Sequence, residues 1–500
     1  MAYSPIFHIF MPLFAIDILA STHYTRKNAW KRTNRSKQNV TLSDQTPSWK
    51  KLSLFAVTWP IFVDSVLRMM LGTVDVFMLS RISDTATGAV GLANEIIFFC
   101  IMMFGFVGIG TSVVVSQYIG ARREQEASRI SALAITINLI FGIIVSVLLV
   151  NFGESLMRLL NLNPEQIGIA SRYLKIIGGF IWIEALSYAI SSIVRAGGHT
   201  KSVMYVTLGV NLIHMTGNYL LIFGKFGFPE WGVTGAAIST VVSRLIGIVV
   251  LFFILYRRSP APIRRKDYIT WNGSYVKKIL SVGLPAAGEH LSWQSQYLMV
   301  VGFVNIIGVT ALNTHVYVMN VSNYFMALAM AIGAGTEIMV GQMVGAGDMK
   351  AAYQRLMKSV KISFFVTFIV VGTASLFRRD IIGMFTHDAD IIAVGAGILL
   401  LSVLLEPGRT FNIVIINSLR AAGDARFPVM MGVCSMWGIS VPLAYILGVH
   451  TSLGLLGIWI AFAVDEWTRG VIMLLRWRSR AWEKKALVTP ATISSEQQAS

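Results

Sequence analysis

GIGTSVVVSQYIGARREQEA, residues 108–127, and AIGAGTEIMVGQMVGAGDMKAA, residues 331–352, carry the same residues at one constant spacing. Gly108, Gly110 and Thr111 stand 225 positions before Gly333, Gly335 and Thr336, and Gln117, Gly120 and Ala121 stand 225 before Gln342, Gly345 and Ala346. The offset recurs further out: Pro60 matches Pro285, and Arg195, Ala196 and Gly198 match Arg420, Ala421 and Gly423. Chance coincidences at one offset would scatter along the chain, whereas these fall in clusters at corresponding places, so the chain reads as a duplication.

What is duplicated is membrane-spanning. The 500 residues are 55% hydrophobic and only 13% charged, with a mean hydropathy of +0.64, far too apolar for a soluble chain of this length. Apolar stretches long enough to cross a bilayer occur near 54–79, 86–118, 131–151, 167–194, 202–223, 233–256, 280–305, 312–343, 356–376, 391–419, 428–448 and 454–475. The second and eighth are long enough to be strongly tilted or bent. Each half holds six, an even number, so both halves start on the same side and the repeat is parallel, related by an axis along the membrane normal. The expected fold is therefore an all-α polytopic membrane protein: twelve transmembrane helices as two parallel six-helix repeats around a central cavity. In residues this gives an N-terminal extension 1–51, an N-lobe 52–256, a basic linker 257–278, a C-lobe 279–478 and a tail 479–500.

The formal charge of +17 invites a nucleic-acid reading. With residues 1–51 placed in the cytoplasm, thirty-one of the 42 Lys and Arg fall on that side and seven on the other. The remaining four, Arg68, Arg244, Arg409 and Arg469, lie inside helices. This is the positive-inside pattern. Both termini are expected in the cytoplasm, and no nucleic-acid partner is expected. Cys100 and Cys434 both fall inside predicted helices, with no spacing that suggests a disulfide or metal site. The first twenty residues fit neither a signal peptide nor a full span, and 21–48 and 486–500 read as disordered tails.

Ionisable residues within spans are costly and usually mark a pathway or a coupling site. The first span holds three, Asp64, Arg68 and Asp75. At about 100° per residue they share one stripe of a helix. Asp64 and Arg68, four residues apart, can pair and so lower each other's cost. Asp75 lies two turns beyond Arg68, without that partner. In the second half Glu289 and Glu406 are acidic residues inside apolar spans, with Arg409 one turn from Glu406. Asn211, Asn218, His315, Asn320, Asn323, Glu95, Glu184, Glu337 and the Asp465/Arg469 pair complete the polar set; a lone polar group of this kind commonly bonds a neighbouring helix.

The duplicated segments, with AVGLANEIIFF, RAGGHTK, NLIHMTGNYLLIFGKFGFPEWGVTGAAIST and LRAAGDARFPV, resemble the multidrug and toxic compound extrusion (MATE) transporters over about residues 50–478. In that family a first-helix proline is followed fifteen positions later, in a G-x-V-D context, by an aspartate that takes part in cation coupling. Pro60 and GTVD put Asp75 at that position. The matching fifth-helix segment lines the N-terminal cavity, which points to Asn211 and Asn218. One branch of the family has a glutamate eight residues after the seventh-helix proline, where this chain has Trp293, and a tenth-helix aspartate where it has Arg409. Glu289 and Glu406 are the C-lobe coupling candidates instead.

The resemblance implies a monomeric exporter of a bacterial inner membrane, without cofactor. It would exchange an organic substrate, a cationic drug or dye by family default, for H⁺ or Na⁺, the latter possible at Asp75. Arg68, Asn211, Asn218, Arg409 and Asn320 are expected to face the substrate. SMWGISVPLAYILG and the long N-terminal extension are similar to a flavin-exporting branch, for whose anionic substrates Arg68 or Arg409 would matter more. A lipid-linked-precursor flippase and a membrane-embedded enzyme are the other readings. No phosphate-binding G-x-x-x-x-G-K-[ST] loop, H-E-x-x-H or G-x-S-x-G is present, so neither ATP-driven transport nor a familiar hydrolase site is encoded.

Overall fold

A computed structural model describes residues 52–159, 163–259 and 263–489; the readings of segments 1–48 and 490–500 lie outside it. The described chain is helical throughout. The N-lobe comprises α1 (Leu54–Ser80), α2 (Asp84–Gly120), α3 (Glu124–Leu159), α4 (Pro164–Gly179), α5 (Trp182–Ala196), α6 (Thr200–Phe223) and α7 (Gly232–Arg258). The C-lobe follows with α8 (Gly273–Ile307), α9 (Val309–Gly345), α10 (Met349–Leu376), a short α11 (Arg378–Gly383), α12 (Ala389–Ala421), α13 (Arg426–Ser435), α14 (Val441–Val449) and α15 (Leu455–Arg478). Among the described residues nine helices are long and apolar enough to cross a membrane, counting Arg426–Val449 as one, and α4 with α5 makes a tenth. The other two spans, α8 and α15, are 35 and 24 residues long. Their interior charges, among them Glu289, Asp465 and Arg469, are paired with other groups. The chain is a twelve-span, two-lobe membrane protein.

The duplication is visible to the residue. α2 and α9 are both 37 residues long and begin and end 225 positions apart. Both run as single unbroken helices. Breaks fall elsewhere. The fourth span breaks between α4 and α5 with a 46° turn. There Ser146 of α3 donates to the Gly179 carbonyl (2.6 Å), and a Cβ on Gly178 would stand 2.8 Å from Leu149 Cβ. The small residues let α3 press against the break. The eleventh span contains a π turn at Met436–Ser440 just before Pro442, where the proline nitrogen cannot donate to the preceding turn.

The lobes are stitched together at the end from which the linker leaves. Gln117 of α2 donates Nε2–H to the Ala421 carbonyl at the end of α12 (2.6 Å). Gln342 of α9, its repeat mate, donates to the Ala196 carbonyl at the end of α5 (2.8 Å). Gly120 and Gly345 make this possible, because a Cβ on either would overlap the carbonyl oxygen of the opposite glutamine. At the same end Lys278 of α8 donates to the Tyr118 hydroxyl (2.8 Å), and the Tyr275 hydroxyl donates to Glu126 (3.1 Å). Burial follows the seal: Gly333 and Gly335 to Gly345 of α9 are all buried, whereas its opposite end carries Val309 at 71% and Val316 at 45% exposure.

The expectation that residues from 486 on are disordered is corrected where they are described. After α15 the chain doubles back, Trp482 is fully buried and Val488 is 5% exposed.

Candidate functional site

α1 carries the three charges of the first span on one stripe, as its helical period requires, but the bundle gives them two different environments. Asp64 is buried and takes Arg195 Nη2 from α5 at 2.5 Å and the Thr207 hydroxyl from α6. Arg68, its expected partner, also donates to it, through Nε at 3.4 Å. Arg68 keeps 39% of its side chain exposed and lies 5.7 Å from the centre of the Tyr188 ring. Asp64 is thus a three-helix staple, and Arg195, which the sequence reading noted only as a repeat match, is its principal counter-charge.

Asp75 has no such cation: among the described residues no Arg or Lys nitrogen lies within 4.0 Å of it. The Asn218 amide of α6 donates to Asp75 Oδ1 (2.7 Å), and His214 Nδ1, one turn earlier on α6, stands 3.6 Å from the same oxygen. His214 Nε2 bonds the Thr240 hydroxyl of α7 (2.9 Å). His214 Nδ1 and Asn218 Oδ1 are buried and lack hydrogen-bond partners. About 15% of the Asp75 side chain remains exposed. A carboxylate within an apolar bundle, one side open and the other lined by unused donor and acceptor capacity, has the chemistry to bind a proton or a small cation. His214 escaped the sequence reading. Its signal was the i, i+3, i+7 face Asn211, His214, Asn218 of α6. Asn211, on that face, donates to the Leu67 carbonyl (2.7 Å), so it pins α6 to α1.

The C-lobe repeats the staple and elaborates a second cluster. Glu289 occupies the place of Asp64, and Arg420 of α12, the repeat mate of Arg195, pairs with it; both pairs are 131 residues apart. Gly432 stands 225 residues after Thr207, and its would-be Cβ would lie 3.8 Å from Glu289 Oε1, so the hydroxyl is lost while the ion pair is kept. In the N-lobe Glu184 of α5 binds Arg244 of α7 (2.9 Å). The corresponding positions are Arg409 and Arg469, two cations that cannot pair with each other. Acids fill in around them. Arg409 binds Glu406 (2.8 Å) and lies 3.6 Å from Glu466; Arg469 binds Asp465 (2.8 Å) and Glu466 (3.0 Å). Asn412 donates to Glu466 (2.8 Å) and Ser435 to Asp465 (2.5 Å). Three carboxylates face two guanidinium groups, and Glu406, fully buried, has one oxygen without a partner. Glu337, also buried, faces Arg420 of the Glu289 staple and Ser112 of α2.

Of the sequence candidates, the structure brings together Asp75 with Asn218, and Glu406 with Arg409. Asn320 is exposed on α9 and donates to its own helix at Val316 (2.9 Å). Among the described residues no group of three His, Cys, Asp or Glu is placed to hold a metal ion.

Comparison with known proteins gives one consistent result. The MatE family model matches twice, over residues 60–220 and 285–446, one match per lobe. The uncharacterized transporter YisQ of Bacillus subtilis is 40% identical over 88% of this chain and 97% of its own. The probable multidrug resistance protein NorM of Thermotoga maritima is 27% identical over 90% of this chain and 97% of its own. Among solved structures, a crystal structure of MATE in the bent conformation superposes with a TM-score of 0.79 at 20% identity, over 86% of this chain and 96% of that one. A MOP superfamily transporter from Pyrococcus furiosus, described as having a binding pocket of reverse polarity, gives 0.79 at 20% identity over 90% of this chain and all of that one.

Proposed function

The chain belongs to the MatE family of membrane transporters, and from that premise we propose that it is a secondary active exporter of organic cations, driven by protons through Asp75. The observation that carries this reading is the pairing of Asp75 with Asn218 and His214 rather than with an arginine. The opposite carboxylate of the same helix, Asp64, is neutralised by Arg195, so the two acids cannot share a role. The imidazole nitrogen 3.6 Å from Asp75 favours a proton as the coupling ion, since His214 Nδ1 can share a proton with the carboxylate. Probable multidrug resistance proteins among the relatives favour an organic cation as cargo, and a carboxylate that holds either proton or cargo would exchange one for the other.

The charge asymmetry of the loops favours the linker end as cytoplasmic, which makes the sealed end the inner one. In the cycle this implies, cargo enters when the lobes part at the linker end. They then close through the Gln117 and Gln342 contacts, and a proton arriving from the other side displaces the cargo at Asp75. By linkage the proton can drive export only as far as its binding weakens cargo binding, tenfold per about 1.4 kcal/mol. Glu406, in a cluster with one more carboxylate than cations, is the second proton-binding candidate, while Glu289 joins Arg420 as a structural pair. Efflux from proteoliposomes loaded with a fluorescent organic cation, under a pH gradient and a Na⁺ gradient applied separately, tests the assignment. FMN in place of the dye tests the anionic alternative.

A further inference from the structure

The described chain beyond α15 is not a loose end. Arg480 adopts a left-handed conformation (φ 55°) and turns the chain back on the bundle. Trp482 stacks on Trp477 with ring centres 4.0 Å apart and planes within 8°, and donates its indole N–H to the Trp477 carbonyl (2.9 Å). The chain then crosses the turn after α12 so closely that a Cβ on Gly423 would overlap the Lys485 carbonyl oxygen. So far every contact is within the C-lobe. Leu487 and Val488 leave it. The Leu487 N–H donates to Gln117 Oε1 of α2 (2.8 Å), and the Leu487 side chain packs with Val113 of α2, Val282 of α8 and Ala425. Val488 is buried in the N-lobe cluster of Val107, Val114, Tyr118 and Ile130.

Where the other half of the repeat is described, the corresponding contacts stay within its own lobe. Ile263, 225 residues before Val488, packs with Ala132, Ile135 and Leu255 of its own lobe. The side of Gly198, the mate of Gly423, is occupied by Leu52, from the segment leading into α1. The C-terminal segment crosses from one lobe to the other on Gln117, whose amide nitrogen already holds the opposite lobe at Ala421. One side chain thus makes both of its hydrogen bonds across the seam.

We propose that residues 479–489 form a releasable latch that holds the two lobes together at the linker end and sets the balance between the two access states. The proposal rests on the alternating-access reading above. Parting the lobes at this end must withdraw Leu487 and Val488 from the N-lobe, and their burial weights the equilibrium toward the sealed state by whatever that withdrawal costs. A latch of two apolar residues and one backbone hydrogen bond is weak enough to release in each cycle.

The test is a distance measurement that needs no knowledge of the cargo. Spin labels at cysteines replacing the exposed Gln125 of α3 and Lys350 of α10, in a background with Cys100 and Cys434 changed to Ser, report the linker-end separation by double electron–electron resonance in nanodiscs. Val488→Asp is expected to raise the ratio of long to short separations about tenfold, the equivalent of about 1.4 kcal/mol, and Val488→Ile to leave it unchanged. Should Val488→Asp not yield monodisperse protein, deletion of 486–500, which keeps the Trp477–Trp482 stack, gives the same readout. An unchanged distribution in a folded variant of either kind overturns the latch. Because distances rather than fluxes are read, a failure of the cation-export reading shows in the proteoliposomes and not here.

Discussion

Gln117 and Gln342, 225 residues apart, each hold the carbonyl at the end of the other lobe's fourth span, Ala421 and Ala196 respectively. The reciprocity makes the linker-end seal a property of the duplication, since a single pair of repeat positions supplies both halves of it. Gly120→Ala should therefore act in the same sense as breaking the seal, because the added methyl meets the Gln342 carbonyl. We expect a cysteine placed at the buried Ser116 to become alkylated from the linker side in Gly120→Ala and to stay protected in wild type. Gly168→Ala, where nothing lies within 4 Å of the added carbon, is the control. It should leave protection unchanged and alter stability by no more than about 1 kcal/mol.

The staples predict a stability signature distinct from any transport defect. Asp64→Asn leaves the half-buried Arg195 without its counter-charge, and Glu289→Gln does the same to Arg420. Each should cost about 3–5 kcal/mol, read as a fall in thermal unfolding temperature in detergent. Asp64→Asn combined with Arg195→Met should recover much of the loss, since both charges are then gone. A single mutant as stable as wild type would mean that these pairs do not hold the helices of each lobe together.

In the C-lobe cluster the surplus carboxylate is the dispensable one. Glu406→Gln leaves Arg409 facing Glu466 and Arg469 facing Asp465 and Glu466, so thermal stability should stay within about 1 kcal/mol of wild type. Glu466→Gln removes an acid shared by both arginines and should cost several times more. If Glu406 carries a proton in the cycle, Glu406→Gln will also weaken the dependence of efflux on the pH gradient while leaving equilibrium binding of the cation measurable.

His214 acts through Asp75, so its removal should change the conditions of coupling rather than abolish it. His214→Ala is expected to shift the midpoint of the pH dependence of efflux and to leave the maximal rate within about threefold, since the Asn218 hydrogen bond to Asp75 survives. The midpoint is read from initial efflux rates across a series of internal and external pH values. An unmoved midpoint would show that the imidazole is only a brace on Thr240.

The number of spans, the parallel repeat and the stripe on α1 were legible because each is a statement about spacing within one segment. The offset of 225 held more than was taken from it. Asp64 with Glu289, Glu184 with Arg409 and Arg244 with Arg469 stand at that same offset, and the equal 131-residue separation of the two ion pairs follows from it. What spacing could not convey is which helix turns toward which. Arg68 is the neighbour of Asp64 along α1, yet Arg195 reaches it first because α5 delivers a guanidinium from the side. The break between α4 and α5 depends on how closely α3 approaches Gly178, and the docking of Leu487 and Val488 depends on a site on α2 some 370 residues away in sequence.

Asp75, the membrane carboxylate of α1 with no arginine in bonding distance among the described residues, is proposed to couple transport to the ion gradient. The most direct measurement is gradient-driven efflux of a fluorescent organic cation from proteoliposomes, for wild type and Asp75→Asn at matched incorporation. Efflux driven by the pH gradient in wild type, and absent in Asp75→Asn with unchanged thermal stability, is the expected result. Undiminished gradient-driven efflux in Asp75→Asn would contradict it.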